Sequence, residues 1–159
     1  MSSNQQQIYA ELIEQSPDPI ITVDLVGIIR FVNSAAEEAS AYRADELVGK
    51  HFTRTGVLTA AGTVKAVQEF TLLVAGHVRP PFELEIVRKD QNLWIFEAHP
   101  RLVRVKAGGP ATIQVIFRDI TNRKELKETL RKQSAALEEL KREINALLQE
   151  LHRAPKYPV

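Results

Sequence analysis

From residue 126 to residue 151, eight positions, seven of them aliphatic, recur at spacings that alternate between four and three residues: Leu126, Leu130, Gln133, Leu137, Leu140, Ile144, Leu147 and Leu151. No other feature restricts the fold of this chain so strongly. This is the a/d spacing of a coiled coil, with Leu126, Gln133, Leu140 and Leu147 at d and Leu130, Leu137, Ile144 and Leu151 at a. A helix over about 122–152 would extend about 45 Å, longer than a domain of about a hundred residues is wide. The stripe therefore predicts a projecting helix whose seam is covered by another helix. Docking of the stripe on the chain's own sheet is the competing arrangement, the ordinary use of an amphipathic helix. Parallel pairing of two copies about a two-fold axis would set Gln133 against its own copy, weakening the seam while disfavouring slipped registers.

The helix follows directly on a strand. In "VIFRDITNRKELKETL", residues 115–130, the apolar period changes from two to three-and-four through Asp119, Ile120 and Thr121. Asp119 and Thr121 are suited to accept the unpaired N–H groups of a helix start, and Asn122 with Glu125 offers a competing cap one residue later. Two caps allow two helix starts, and a joint with two starts has a means of switching.

Upstream, "QQIYAELIEQ" predicts a short helix over about 5–15, stopped by "SPDP". "PIITVDL" and "IIRFVN" read as paired strands about a turn at "VG". Ser34 is suited to cap "AAEEASAY", Asp45 begins a brief helix in "DELVG", and Gly49 is suited to end it. A longer helix in "AAGTVKAVQEFTLLVAG" is expected to bury Val64, Val67, Phe70, Leu73 and Val74 and to stop at Gly76. Three strands follow: "FELEIVRK", with Phe82, Leu84 and Ile86 on one face; "LWIFEAHPRLVRV", with Trp94, Phe96 and Ala98; and "ATIQVIFRD", with Ile113, Val115 and Phe117. The turns "KDQN" and "KAGGP" separate them. Two strands, short helices and three antiparallel strands predict an α+β domain, a five-stranded antiparallel sheet with helices on one face. The expected organisation is an N-terminal helical cap over 1–17, the α+β domain over 18–120, the coiled-coil helix over 121–153 and a tail over 154–159.

In this order, "PDPIITVDLVGIIRFVNSAAEEASAYRADELVGKHF" and "GGPATIQVIFRDITNRKEL" resemble a PAS (Per-Arnt-Sim) sensor domain followed by its signalling helix. The most specific elements are "IIRFVNSAAEE", with Asn33 opening the first helix of the domain, and "FRDITNRK", whose Asp119, Ile120 and Thr121 match the family's exit motif. One departure is "KDQN", where many members have a Lys-Asp-Gly turn. The resemblance implies a sheet cupped by helices, a pocket between them, dimerisation, and a signal passed to an output module such as a histidine kinase.

Composition narrows the input. Cysteine is absent, which removes the thiol on which the cysteine–flavin photochemistry of the light-sensing subfamily depends, together with thiol-linked chromophores and disulfides. Haem would need an axial ligand, and His51, His77 and His99 fall at turns or on the strand face opposite Phe96 and Ala98. No His or carboxylate set has metal-ligand spacing. Ile21, Val23, Phe31, Asn33, Phe52, Phe70, Leu84, Ile86, Trp94, Phe96, Val115 and Phe117 are the expected core. The same residues would line a pocket, so an unidentified small ligand fits either reading, with Trp94 nearest to any noncovalent flavin. No cofactor is predicted.

Catalysis is not expected. His152 in "LLQELHRAP" lacks the acidic neighbour and the proline spacing of a phosphoacceptor segment. It reads as a basic residue near a helix C-terminus, with Pro155 and Pro158 ending the helix. The formal net charge of +1, and the interleaving of Glu125 and Glu128 in "NRKELKETLRK", give no nucleic-acid face. "MSSNQQQ" lacks the features of a signal peptide, and no apolar run approaches the roughly 20 residues of a membrane span. The expectation is a cytoplasmic homodimer, paired through the coiled coil with the N-terminal helix as a second contact, that passes a ligand- or partner-induced change to an output protein. An inert scaffold for assembly and an N-terminal fragment of a sensor histidine kinase are the alternatives.

Overall fold

Alternating apolar side chains on five extended segments build the sheet of this computed structural model, which describes residues 3–104 and 111–153. The strands are β1 (Ile20–Asp24), β2 (Ile29–Val32), β3 (Phe82–Val87), β4 (Leu93–Arg104) and β5 (Ala111–Asp119). They lie in the order β2-β1-β5-β4-β3, with every neighbouring pair antiparallel. Helices α1 (Ser3–Glu14), α2 (Ser34–Ser40), α3 (Ala44–Leu47) and α4 (Ala60–Val74), with a 3₁₀ turn at Phe52–Arg54, complete a unit that runs to Ile120. The second unit begins at Thr121 and contains α5 (Thr121–Arg153). The "KAGGP" turn, the tail over 154–159 and the stops at Pro155 and Pro158 lie outside the described residues.

Phe82, Leu84 and Ile86 on β3, Phe96 and Ala98 on β4, and Ile113, Val115 and Phe117 on β5 share the inward face, as their period of two requires. They fall into two clusters. Val23, Ile29, Val32, Ala36, Leu47, Leu73 and Ile113 form one. Leu84, Ile86, Phe96, Ala98 and Phe117 form the other, with Phe117 edge-on to Phe96. Ile21, Val57 and Val115 pack against both, and Ile21 and Val115 are direct partners across β1 and β5.

The helical layer is tied to the sheet at Asn33, which has no exposed surface. Its Oδ1 accepts the N–H of Ile20 at 2.8 Å and of Ala36 at 3.0 Å. Its Nδ2 donates to the carbonyls of Ile13 at 3.0 Å and Asp18 at 3.1 Å. One amide thus joins the end of α1, the "SPDP" loop, the first residue of β1 and the first turn of α2. The cap of α2 is therefore Asn33, not Ser34. Ser34 is the first helical residue, and both its N–H and its hydroxyl donate to Glu14 Oε1. The longer Asn side chain reaches back to strand and loop as well as forward to the helix, which a serine cannot do.

Three further expectations change in detail. The β1–β2 turn spans Leu25–Ile28, two residues more than "VG", because the Asp24 carboxylate accepts the N–H groups of Val26 and Ile28 and an ion pair from Arg30. Helix α2 stops at Ser40 because Ala41 adopts a left-handed conformation, φ 61°. On α4 the buried face carries Gly62, Glu69 and Leu73, while Val64, Val67 and Val74 are exposed. Gly62 sets that rotation: a β-carbon there would come within 2.9 Å of the Glu85 carbonyl on β3, so the helix rests its glycine on the strand. The expected valine face is turned away.

The departure in "KDQN" has a backbone cost. Gln91 sits at φ 67°, the left-handed conformation that glycine adopts freely, inside a turn closed by Arg88 N–H to Asn92 O and Gln91 N–H to Arg88 O. Gln91→Gly should therefore stabilise the protein by about 1 kcal/mol in urea unfolding. Asn33→Ala strips partners from buried backbone groups on four segments and should destabilise it by on the order of 3 kcal/mol in the same measurement.

Candidate functional site

Between the two core clusters lies an apolar chamber of about 130 Å³. Ile21 and Val115 form its floor on the sheet, and Leu84, Ile86, Phe96 and Phe117 continue that surface. Phe52 and Phe70, with ring centroids 5.2 Å apart, face them from the helical layer. The chamber arises because large residues of two clusters converge on small ones: Ala36, Ala39 and Ala66 line the helical side. An apolar cavity of about 150 Å³ holds a molecule of benzene size, so this space suits about six carbon atoms.

Of the expected pocket residues, the structure brings Ile21, Val23, Phe52, Phe70, Leu84, Ile86, Phe96, Val115 and Phe117 to the chamber wall. It places Phe31, Asn33 and Trp94 elsewhere. Phe31 is half-buried on β2 opposite Thr22. Asn33 spends its hydrogen-bonding capacity on backbone. Trp94 lies under the guanidinium of Arg88, 4.4 Å from the ring centroid, and Arg88 in turn donates to the carbonyls of Glu38 and Ala39 near the end of α2. The indole is thus part of the clasp between β4 and α2.

None of His51, His77 and His99 lines the chamber. His51 stacks on Phe52 and its Nδ1 lies 2.8 Å from the Thr53 hydroxyl; His99 Nε2 lies 2.8 Å from Glu97. Among the described residues no group of three His, Asp or Glu side chains could hold a metal ion, and no helix is long and apolar enough to cross a membrane.

One charged residue at the chamber escaped the reading of the sequence. Glu69 is buried on α4 and lines the chamber, with its carboxylate held by Arg79 at 2.6 and 3.2 Å and by Lys65 at 3.6 Å. The hydrogen bonds from Arg79 hold its carboxyl below the usual glutamate range against the opposing effect of burial, and the charges of Arg79 and Lys65 act in the same direction. Lys65 and Glu69 share an (i, i+4) signature, but the partner that neutralises Glu69 is ten residues away and lies beyond the helix, so periodicity could not reveal it.

The exit from the domain runs through β5. Ile113, Val115 and Phe117 are chamber walls, Asp119 is exposed, and Ile120 is buried with its N–H donating to Ile95 O at 2.9 Å. Thr121, half-buried, is the first residue of α5, so Asn122 falls inside the first turn. At 33 residues α5 is about 50 Å long. None of its residues is buried in the single chain, and Leu126, Leu130, Leu137, Leu140, Ile144, Leu147 and Leu151 are each 48–73% exposed, with Gln133 exposed among them. His152 Nδ1 lies 2.7 Å from Leu148 O within the same helix.

A family profile described as the PAS fold matches residues 13–125, well over half of the chain. The chain belongs to the PAS family. Its PAS domain is similar to that of an HTR-like protein from Haloarcula marismortui, at 24% identity and a TM-score of 0.58 over 74% of this chain and 93% of that one. It is similar also to a domain of a sensory box sensor histidine kinase/response regulator from Geobacter sulfurreducens, at 25% identity and a TM-score of 0.59, over 72% and 94% of the two chains. A PAS domain from Colwellia psychrerythraea matches at 19% identity with a TM-score of 0.61, over 74% and 98%. No curated protein matches the sequence.

The Glu69–Arg79 pair of the PAS domain gives a pH signature. A carboxyl whose folded pKa is depressed stabilises the fold above its unfolded pKa, and that contribution disappears as the pH falls through the folded value. Glu69→Gln should therefore be less stable than the parent protein at pH 7 in urea unfolding. The gap should narrow as the pH is lowered below about 4.3, the ordinary glutamate pKa.

Proposed function

We propose that this PAS domain is a sensory and dimerisation module that converts a change at its chamber into a change in a parallel coiled coil formed by α5 of two copies. One observation carries the reading: the strand that supplies chamber walls, β5, continues through the buried Ile120 into a helix whose heptad seam is exposed in the single chain. A ligand or partner that displaces Val115 or Phe117 acts on the strand that leads into this helix. Asp119, Ile120 and Thr121 form the joint, with Ile120 as its fixed point and the alternative start at Asn122 as its means of slipping.

Seven aliphatic seam positions left in water would cost solubility and gain nothing, whereas pairing in register buries them along four heptads. The output is a partner in signal transduction, and the Geobacter relative's place in a sensor histidine kinase/response regulator supports a two-component pathway. The module itself performs no catalysis, carries no cofactor and acts in the cytoplasm.

Native mass spectrometry at micromolar concentration should report a dimer, and Leu137→Asp combined with Ile144→Asp should convert it to a monomer whose near-UV circular dichroism stays native. A monomeric parent protein would overturn the coiled coil. Because the chain has no cysteine, single Leu126→Cys and Leu151→Cys variants read strand direction. Parallel pairing oxidises each variant to a disulfide-linked dimer on its own, while antiparallel pairing links them only when the two are mixed. Asp119→Ala with Thr121→Ala should alter dimer stability or the output of the parent protein, and no change in either would remove the joint from the mechanism.

A further inference from the structure

The pairing of β3 with β4 stops at Phe82 and Ala98. Ile95 O accepts the N–H of Ile120 on the β5 side, and the backbone groups of a strand address its two neighbours alternately, so the even-numbered residues of β4 turn their N–H and C=O toward the β3 side. Continued in register, the next residues to exchange bonds would be Pro80 and Pro100. Neither has an N–H, so the ladder has no bond to make there, and β3 begins only at Phe82. β5 goes on pairing with β4 as far as Arg104, while the other edge of β4 has no strand beside it from His99 onward. The N–H and carbonyl of Leu102 therefore have no backbone partner among the described residues.

The segment after α4 and this edge enclose an open groove of about 520 Å³. Strand alternation gives the edge two unlike sides. Pro100 and Leu102 share the face of Phe96 and Ala98, and with Pro81 and Val78, which is 94% exposed, they make the groove apolar on that side. His99, Arg101 and Val103 belong to the opposite face. Among the described residues the lining includes no carboxylate. The acids that reach lining residues are committed, Glu69 to Arg79 and Glu97 to His99. Arg101 and, further along the edge, Arg104 are exposed and have no acidic partner among the described residues.

We propose that this edge of β4 takes an acidic, extended peptide of a partner protein as an added antiparallel strand, in the place that Pro80 and Pro100 close to the chain itself. Leu102 supplies the directional bonds: its N–H donates to the peptide backbone and its carbonyl accepts from it. Side chains supply the selection. An apolar residue opposite Leu102 falls on the apolar side of the groove, and the next residue, opposite Arg101, falls on the other face, where a carboxylate meets an uncommitted guanidinium. A second carboxylate opposite Arg104 completes the pattern, which from the N-terminus of the peptide reads acid, any residue, apolar, acid. A second copy of this chain suits the edge poorly. Antiparallel pairing of two β4 edges about Leu102 would gather Arg101 and Arg104 of both copies with no acid between them, and like charges on neighbouring strands are destabilising. Docking here needs neither α5 nor a ligand in the chamber.

Acetyl-Glu-Thr-Leu-Glu-Val-amide, about 17 Å long when extended, is a direct probe. Added to the full chain, it should slow hydrogen exchange of the Leu102 amide about ten-fold or more and leave Arg101 and Val103, whose N–H groups face β5, at their free rates. N-methylation of the peptide's leucine removes the donor that the Leu102 carbonyl accepts and should abolish this protection. The analogue with lysine at both glutamate positions should bind about ten-fold more weakly in fluorescence anisotropy at low salt, and Arg101→Gln, a change at an exposed position, should weaken the acidic peptide about five-fold. No protection of Leu102 up to about 1 mM peptide, or equal binding of the N-methylated form, would overturn strand addition. Equal affinity for the lysine analogue would overturn the acidic partner. Protection of Leu102 in the peptide-free chain that disappears on dilution would give the edge to a second copy and overturn the peptide site.

Discussion

The fold of the PAS domain depends on a single buried amide. Asn33 holds two strand-and-helix N–H groups with its oxygen and two loop-and-helix carbonyls with its nitrogen, so all of its hydrogen-bonding capacity is committed to backbone. Aspartate would keep the acceptor but replace the donor with a second oxygen facing two carbonyls, and serine is too short to span both sets. The amide fixes where α2 leaves the sheet, and through α2 it positions Ala36 and Ala39 over the chamber. Apolar burial drives collapse and selects which strand faces turn inward; the directional bonds of Asn33 fix where helix, loop and strand meet.

The chamber follows from how two small cores meet. Each cluster is closely packed within itself, with an edge-on aromatic pair at the centre of one and aliphatic contacts in the other. Where they abut, three alanines face large residues of the sheet, and Ile21, Val57 and Val115 reach across. Such a junction is a natural place for a cavity, because filling it would need side chains larger than alanine on helices already held close by Gly62 against Glu85. Glu69 adds a buried charge at the same wall, tolerable only because Arg79 reaches it from the segment beyond α4.

Several features were legible in the residues alone because they follow local periodicity. The strands on which Leu84, Ile86, Phe96, Ala98, Ile113 and Phe117 alternate, the long helix after Thr121 and the family resemblance all belong to this class. Errors arose where a side chain's use depends on distant atoms. Ser34 looked like the cap of α2 because a hydroxyl before a helix usually is one, whereas Asn33 won by making three other bonds at once. Val64, Val67 and Val74 looked like the inward face of α4 because they are apolar, but close backbone approach at Gly62 outweighs three valines. Trp94 has the alternation of the core and packs against the second cluster beneath Arg88 without lining the chamber, while a register shift on β1–β2 pairs Phe31 with Thr22, off the face that carries Ile21 and Val23.

By itself, the sequence determined the elements of the domain, their type and most of their inward faces, the heptad stripe of α5 and the place where strand period gives way to helix period, because each is a property of neighbours along the chain. Tertiary structure alone decided that a chamber exists between two clusters, that Glu69 is buried and answered by Arg79, that Ile120 is buried with its N–H on the Ile95 carbonyl, and that β3 pairs with β4 only as far as Ala98. Each of these depends on the distance between residues remote in sequence, and no spacing along the chain encodes that distance.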